Sequence, residues 1–111
     1  MKKGNVYRND MLVGEVSKNE MGVYHFRYGS EYLKMDDAMS ISVNFPLQDE
    51  VFVSDRLFSF FFNMLAEGNI KEIQCRDLKI DPDDNFSRLL KTAHSNTIGS
   101  ITVKEVQNAM S

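Results

Sequence analysis

Leu57-Phe58-Ser59-Phe60-Phe61-Phe62-Asn63-Met64-Leu65 is the stretch on which the reading of the fold turns. With Phe52 just before it, this part of the chain holds five of the eight phenylalanines. On a helix the polar positions Arg56, Ser59, Asn63 and Glu67, spaced by three and four, form one narrow stripe, and Phe, Leu or Met fill the rest of the cylinder. A helix apolar nearly all round needs cover on more than one side, from its own domain or from another protein. Ser54 reads as its N-cap, with Asp55 in the first turn and Val53 and Phe58 at the positions of a hydrophobic staple. The helix is expected to run to about Leu65 and to break near Gly68, with Phe58, Phe61, Phe62 and Leu65 able to face inward together.

On the C-terminal side, Asn69-Ile70-Lys71-Glu72 has capping-box spacing and opens a second helix towards Leu78. Asp81-Pro82-Asp83-Asp84 reads as a third helix start: a cap, proline at the first helical position, and acids in the first turn. Phe86, Leu89, Leu90 and Ala93 follow at i, i+3, i+4 and i+7, an amphipathic face. Gly99 closes the loop beyond it, and Ser100-Ile101-Thr102-Val103 reads as a last strand.

On the N-terminal side the pattern changes to period two. Val6-Tyr7-Arg8 and Met11 to Val16 flank Asn9-Asp10, a two-residue hairpin turn. After the turn Lys18 to Gly22, the segment Val23 to Tyr28 places Tyr24, Phe26 and Tyr28 on one face, with His25 and Arg27 on the other. Ser40 to Phe45 alternates in the same way, grouping Ile41, Val43 and Phe45 in a strand that Pro46 stops. The expected fold is α+β, residues 1–111 as one domain: a small antiparallel, curled β-sheet of about five short strands packed with about three helices.

Composition narrows the function. The 13 Lys and Arg are scattered and outnumbered by 16 Asp and Glu, which argues against a direct nucleic-acid footprint. The lone Cys75 cannot form an internal disulfide, so a reducing, cytoplasmic compartment is the natural reading. Met1 to Asn5 is charged but leads into no apolar core of a signal peptide, and no run reaches the ~20 apolar residues of a membrane span.

Catalytic chemistry is sparse. His25 and His94 have no metal-ligand spacing to each other or to Cys75. Cys75, inside a helix beside Arg76, reads as a small buried or half-buried residue rather than a nucleophile. Asp77, Asp81, Asp83 and Asp84 lack the glycine and terminal glutamate of an EF-hand loop, and no glycine-rich phosphate cradle is present. No catalytic residue, metal ligand or cofactor site is assigned. The chain reads as a binding module.

Four blocks in order carry a resemblance: Ile41-Ser42-Val43-Asn44-Phe45-Pro46-Leu47-Gln48; Ser54-Asp55 with Phe58 to Gly68; Phe86-Ser87-Arg88-Leu89-Leu90; and Ile98-Gly99-Ser100-Ile101. Together the chain, from its first strand to about Val103, resembles the N-terminal subdomain of HipA-type serine/threonine kinases, the toxins of HipA/HipB toxin–antitoxin systems. In that family the first, second and last of these blocks read roughly L-S-L-S-L-P-L, F-F-x-N-L-L-P-E-G and G-A-V. The sequence ends eight residues after Val103, so a kinase fold is not expected on this chain, and phosphoryl transfer would fall to another.

The resemblance thus implies the split, HipBST-type arrangement, in which a HipS-like subdomain is a separate bacterial protein. It implies an antitoxin-like regulatory subunit that docks on and restrains a HipT-like serine/threonine kinase, and through the complex meets a HipB-like helix-turn-helix protein. The other readings are a non-inhibitory assembly subunit, the excised subdomain of a full-length HipA kinase, and a small enzyme or ligand-binding protein unrelated to kinases. Ala66 stands where the family usually has proline, and Asn69 where many members have tryptophan. The expected partner interface is Met64, Leu65, Ala66, Glu67, Gly68, Asn69 and Ile70, read as an exposed glycine-containing loop between two helices.

Overall fold

The computed structural model describes residues 2–94 and 100–106. Gly99 and Ile98, read above as a loop end and part of a motif, lie outside the described residues. Five strands, β1 (Lys2–Arg8), β2 (Met11–Lys18), β3 (Tyr24–Tyr28), β4 (Phe52–Ser54) and β5 (Ile101–Glu105), form one open antiparallel sheet in the order β4-β3-β2-β1-β5. Four helices accompany it: α1 (Ser30–Leu33), α2 (Ser59–Phe62), α3 (Gly68–Leu78) and α4 (Asn85–Thr92).

The β1–β2 hairpin forms where the turn chemistry puts it. Asn9 and Asp10 both adopt positive φ, 50° and 71°, the conformation that a tight two-residue hairpin requires and that Asn and Asp tolerate best after glycine. A bulge follows, since Val6 pairs with Gly14 while Tyr7 pairs with Leu12. The extra residue, Val13, shifts the pleat by one position, so that Val13 and Val16 are both buried while Leu12 faces out.

On β3 the alternation holds: Tyr24, Phe26 and Tyr28 are buried, and His25 and Arg27 lie on the other face. They meet α4 and α2 across the core. Tyr24 packs edge-on against Phe86 at 5.6 Å between centroids, and Phe26 lies 5.6 Å from Phe61. The α4 face of Phe86, Leu89, Leu90 and Ala93 is buried throughout, as its spacing requires, and Ala93 accepts the Val103 N–H at 3.2 Å, tying the helix end to β5.

Three local expectations fail for tertiary reasons. Ser40 to Phe45 is not a strand but a looped segment, because tyrosine hydroxyls take up the backbone groups of Ile41 and Phe45 within it and of Met39 just before it. Tyr32 Oη donates to the Met39 carbonyl at 2.6 Å and accepts from the Met39 N–H at 3.0 Å. Tyr28 Oη accepts from the Ile41 N–H at 3.1 Å and donates to the Phe45 carbonyl. Val43 consequently points to solvent, 95% exposed, whereas Phe45 is buried among Phe26, Phe52, Phe58 and Phe61.

Ser54, expected as an N-cap, instead ends β4, where it pairs with Tyr24 on the β3 edge. The helix begins after Phe58 and lasts a single turn, so Val53 staples nothing and is exposed. The third helix starts from Asp84 rather than Asp81. Asp84 Oδ1 accepts the Ser87 N–H at 3.1 Å and Oδ2 accepts the Ser87 hydroxyl at 2.7 Å, a true N-cap. Asp81 makes a tight turn instead, accepting the Asp83 N–H at 2.9 Å.

Candidate functional site

The chain from α2 to α3 is organised by what its apolar residues can reach. After the single turn of α2, Met64 and Leu65 N–H groups donate back to Phe61 and Phe62 carbonyls at 3.0 Å, which winds the backbone tightly and drives Met64 and Leu65 into the core beside Phe61. The chain then extends at Glu67 (φ −125°, ψ 167°) and enters α3 through Gly68 at φ +63°. A Cβ at Gly68 would meet nothing within 4 Å, so glycine is there for its left-handed backbone and not for packing space.

The seven residues expected as an interface therefore divide. Met64 and Leu65 are core residues, 4% and 8% exposed, and cannot contact a partner without unpacking. Ala66 is half-buried, and its carbonyl is held by Arg88 Nη2 at 2.6 Å. Glu67, Gly68, Asn69 and Ile70 are exposed. Asn63 to Glu67 connect α2 and α3, since Gly68, Asn69 and Ile70 form the first turn of α3. The expected Asn69–Glu72 capping box is replaced by Glu67 as N-cap, which makes no side-chain capping bond.

Residues missing from that expectation enlarge the surface. Phe62, expected inward, is 44% exposed, because the helix ends at that residue and only Phe61 is aimed at the sheet. Along α3 only Cys75 is buried. Ile70, Ile73 and Leu78 are 61%, 47% and 48% exposed; Ile70 and Ile73, three apart, share a face of the helix, and Leu78 lies at its C-terminal end. The outward set was hidden in the sequence because isoleucine and leucine at helical spacing are ordinarily core.

Elsewhere, a cleft of about 440 Å³ lies beside β2 and β3 and includes Glu15, Arg27 and Asp49. It holds neither histidine nor cysteine. Cys75 is a buried free thiol, as its helical position suggested. Among the described residues no group of three His, Cys, Asp or Glu side chains is arranged to hold a metal ion, and no helix is long and apolar enough to cross a membrane.

The family model of the HipA N-terminal domain matches residues 4–104. An uncharacterized protein of Haemophilus influenzae is 28% identical over 105 residues, covering 95% of this chain and 93% of its own length. The solved N-terminal domain of HipA toxin superposes with a TM-score of 0.72 at 25% identity, covering 96% of this chain and 94% of that one.

Proposed function

The chain belongs to the HipA N-terminal domain family, and on that premise we propose that it is a regulatory, antitoxin-like binding subunit that docks on a HipT-like serine/threonine kinase and restrains it. It is not itself the enzyme in this reading; the kinase partner carries phosphoryl transfer, in the cytoplasm, and links the assembly to a HipB-like helix-turn-helix protein. The observation that supports docking here is the exposed segment Glu67 to Ile70 continued by Ile73 and Leu78 on α3. Isolated exposed apolar residues are ordinary, but several gathered on one helix that buries a single side chain form a surface suited to a partner. The half-exposed Phe62 just before it adds an aromatic, a residue type favoured in interface cores.

A second reading, an assembly subunit that binds the kinase without inhibiting it, is favoured by Asn69. Tryptophan at that place in many relatives offers a large anchoring surface, and asparagine does not. The same surface would serve within one chain if the domain were the N-terminal part of a longer HipA-type kinase.

Co-purification with a HipA-type kinase that lacks this subdomain, together with the kinase's autophosphorylation, tests both readings. Ile70→Asp and Ile73→Asp should leave the fold intact and abolish capture, and changes at Glu67 and Asn69 should weaken it. Asn69→Trp should tighten binding or inhibition. Capture with unchanged autophosphorylation selects the assembly role. Unaltered capture by all the α3 variants, still folded, moves the interface elsewhere.

A further inference from the structure

Arg88 is a buried cation with no counter-ion among the described residues. It sits in the middle of α4 at 4% exposure, and its Nη1 and Nη2 donate to the Asn85 side-chain carbonyl at 3.2 Å and the Ala66 backbone carbonyl at 2.6 Å. Both acceptors are neutral, and they use two of the guanidinium's five N–H donors. None of the ion pairs among the described residues includes Arg88. A guanidinium does not shed its proton, so the charge cannot be relieved by deprotonation, and a buried charge is costly until it is paired.

Arg88 lines an open cleft of about 180 Å³ together with Phe62, Ala66, Glu67, Gly68 and Lys71. This is room for the tip of one anionic side chain. Lys71 brings a second cation that makes no ion pair among the described residues. The first N–H groups of α3, an eleven-residue helix, receive no side-chain cap from Glu67. Glu67, the one acid on the cleft, is exposed and pairs with neither cation.

We infer that this cleft is an oxyanion pocket, which accepts a carboxylate or phosphoryl group from a side chain of the docked partner on Arg88 and Lys71. Bidentate geometry suits a guanidinium to either group. The identity of the carrier rests on the kinase-docking reading above; the pocket itself does not. Its position beside the exposed start of α3 gives the apolar docking surface a charged, orientation-setting contact, the kind that specifies register more than affinity.

The test begins with the free chain. In ¹⁵N NMR titrations with sodium acetate, and separately with inorganic phosphate, at constant ionic strength, the Gly68, Asn69 and Ile70 amides should shift saturably. Arg88→Gln should weaken that binding about tenfold or more, the loss expected for a charge-assisted hydrogen bond. Should Arg88→Gln unfold through loss of the Ala66 bond, Lys71→Gln carries the test with a several-fold weakening, since Lys71 makes no ion pair among the described residues. With the kinase present, phosphatase treatment that abolishes the contribution of Arg88 to binding assigns a phosphoryl group, and an unchanged contribution assigns a carboxylate. Absence of saturable shifts with both anions, or shifts equal in the parent and Lys71→Gln, overturns the pocket. Saturable shifts on a chain that captures no kinase would leave the pocket standing and defeat the docking reading instead.

Discussion

The phenolic hydroxyl of Tyr28 accepts the backbone N–H of Ile41 at 3.1 Å. Through this bond, and through a second in which the same hydroxyl donates to the Phe45 carbonyl, the last residue of β3 holds a loop 13 residues further on against the core. The loop in turn delivers Phe45 to the centre of the aromatic cluster, 4.7 Å from Phe26 and 5.0 Å from Phe52.

Removing that hydroxyl should loosen the loop without emptying the core. Tyr28→Phe is expected to cost about 1–3 kcal/mol, the range for a buried hydrogen-bonding group deprived of its partner. Urea denaturation measures it, and amide exchange at Ile41 should quicken while exchange within β1 and β2 should not. A fully neutral substitution would place the loop's anchor elsewhere.

Alkaline pH should have a related effect. Burial away from water raises the pKa of Tyr28 above its ordinary value; the Ile41 hydrogen bond opposes this and nearby Tyr32 adds to it. The unfolded chain releases this proton at about pH 10, before the folded chain does. Tyr28 therefore contributes stability that is complete below about pH 10 and is lost as pH rises through the folded pKa. Urea midpoints between neutral pH and pH about 11 should fall more steeply for the parent than for Tyr28→Phe.

At the start of α4 the sign reverses. Burial tends to raise the pKa of Asp84, but two hydrogen bonds from Ser87 and the charges of Lys2 and Lys18 outweigh it, and the carboxyl lies below the ordinary range. Its stabilisation is present above the unfolded value of about 3.9 and is lost as pH falls through the folded one. Asp84→Ala should cost about 1 kcal/mol at neutral pH, and the gap between variant and parent, followed by denaturant melts, should narrow in acid.

The phenylalanine run offers a sharp internal comparison. Phe61 is fully buried and Phe62 is 44% exposed. Phe61→Ala should destabilise by about 3–5 kcal/mol through lost burial and a cavity, while Phe62→Ala should stay within about 1 kcal/mol. Thermal melts of the two variants decide it; equal losses would mean that both rings belong to the core.

The sequence by itself determined those elements whose signals are local and self-consistent. Asn9-Asp10 between two β-prone runs, the Tyr24-Phe26-Tyr28 alternation and the Phe86-Leu89-Leu90-Ala93 face each combine a period with a suitable boundary, and each appears as read. The matched family blocks likewise pointed to the HipA N-terminal domain. Tertiary structure decided the remainder. The alternation of Ile41, Val43 and Phe45 states which side chains share a face if the segment is a strand, but the Ile41 N–H and the Phe45 carbonyl went to the Tyr28 hydroxyl from β3, the Tyr32 hydroxyl from α1 held Met39 just before them, and the strand did not form. The phenylalanine run describes a helix apolar on most sides, yet the core takes Phe61, Met64 and Leu65 through a single turn and leaves Phe62 outside. That same winding moved Met64 and Leu65 out of the expected interface, while Ile70, Ile73 and Leu78 lie exposed on α3. Hydrophobic period identifies what seeks burial; which of those residues is covered depends on the area that the sheet and α4 offer, and that area exists only after the chain has folded.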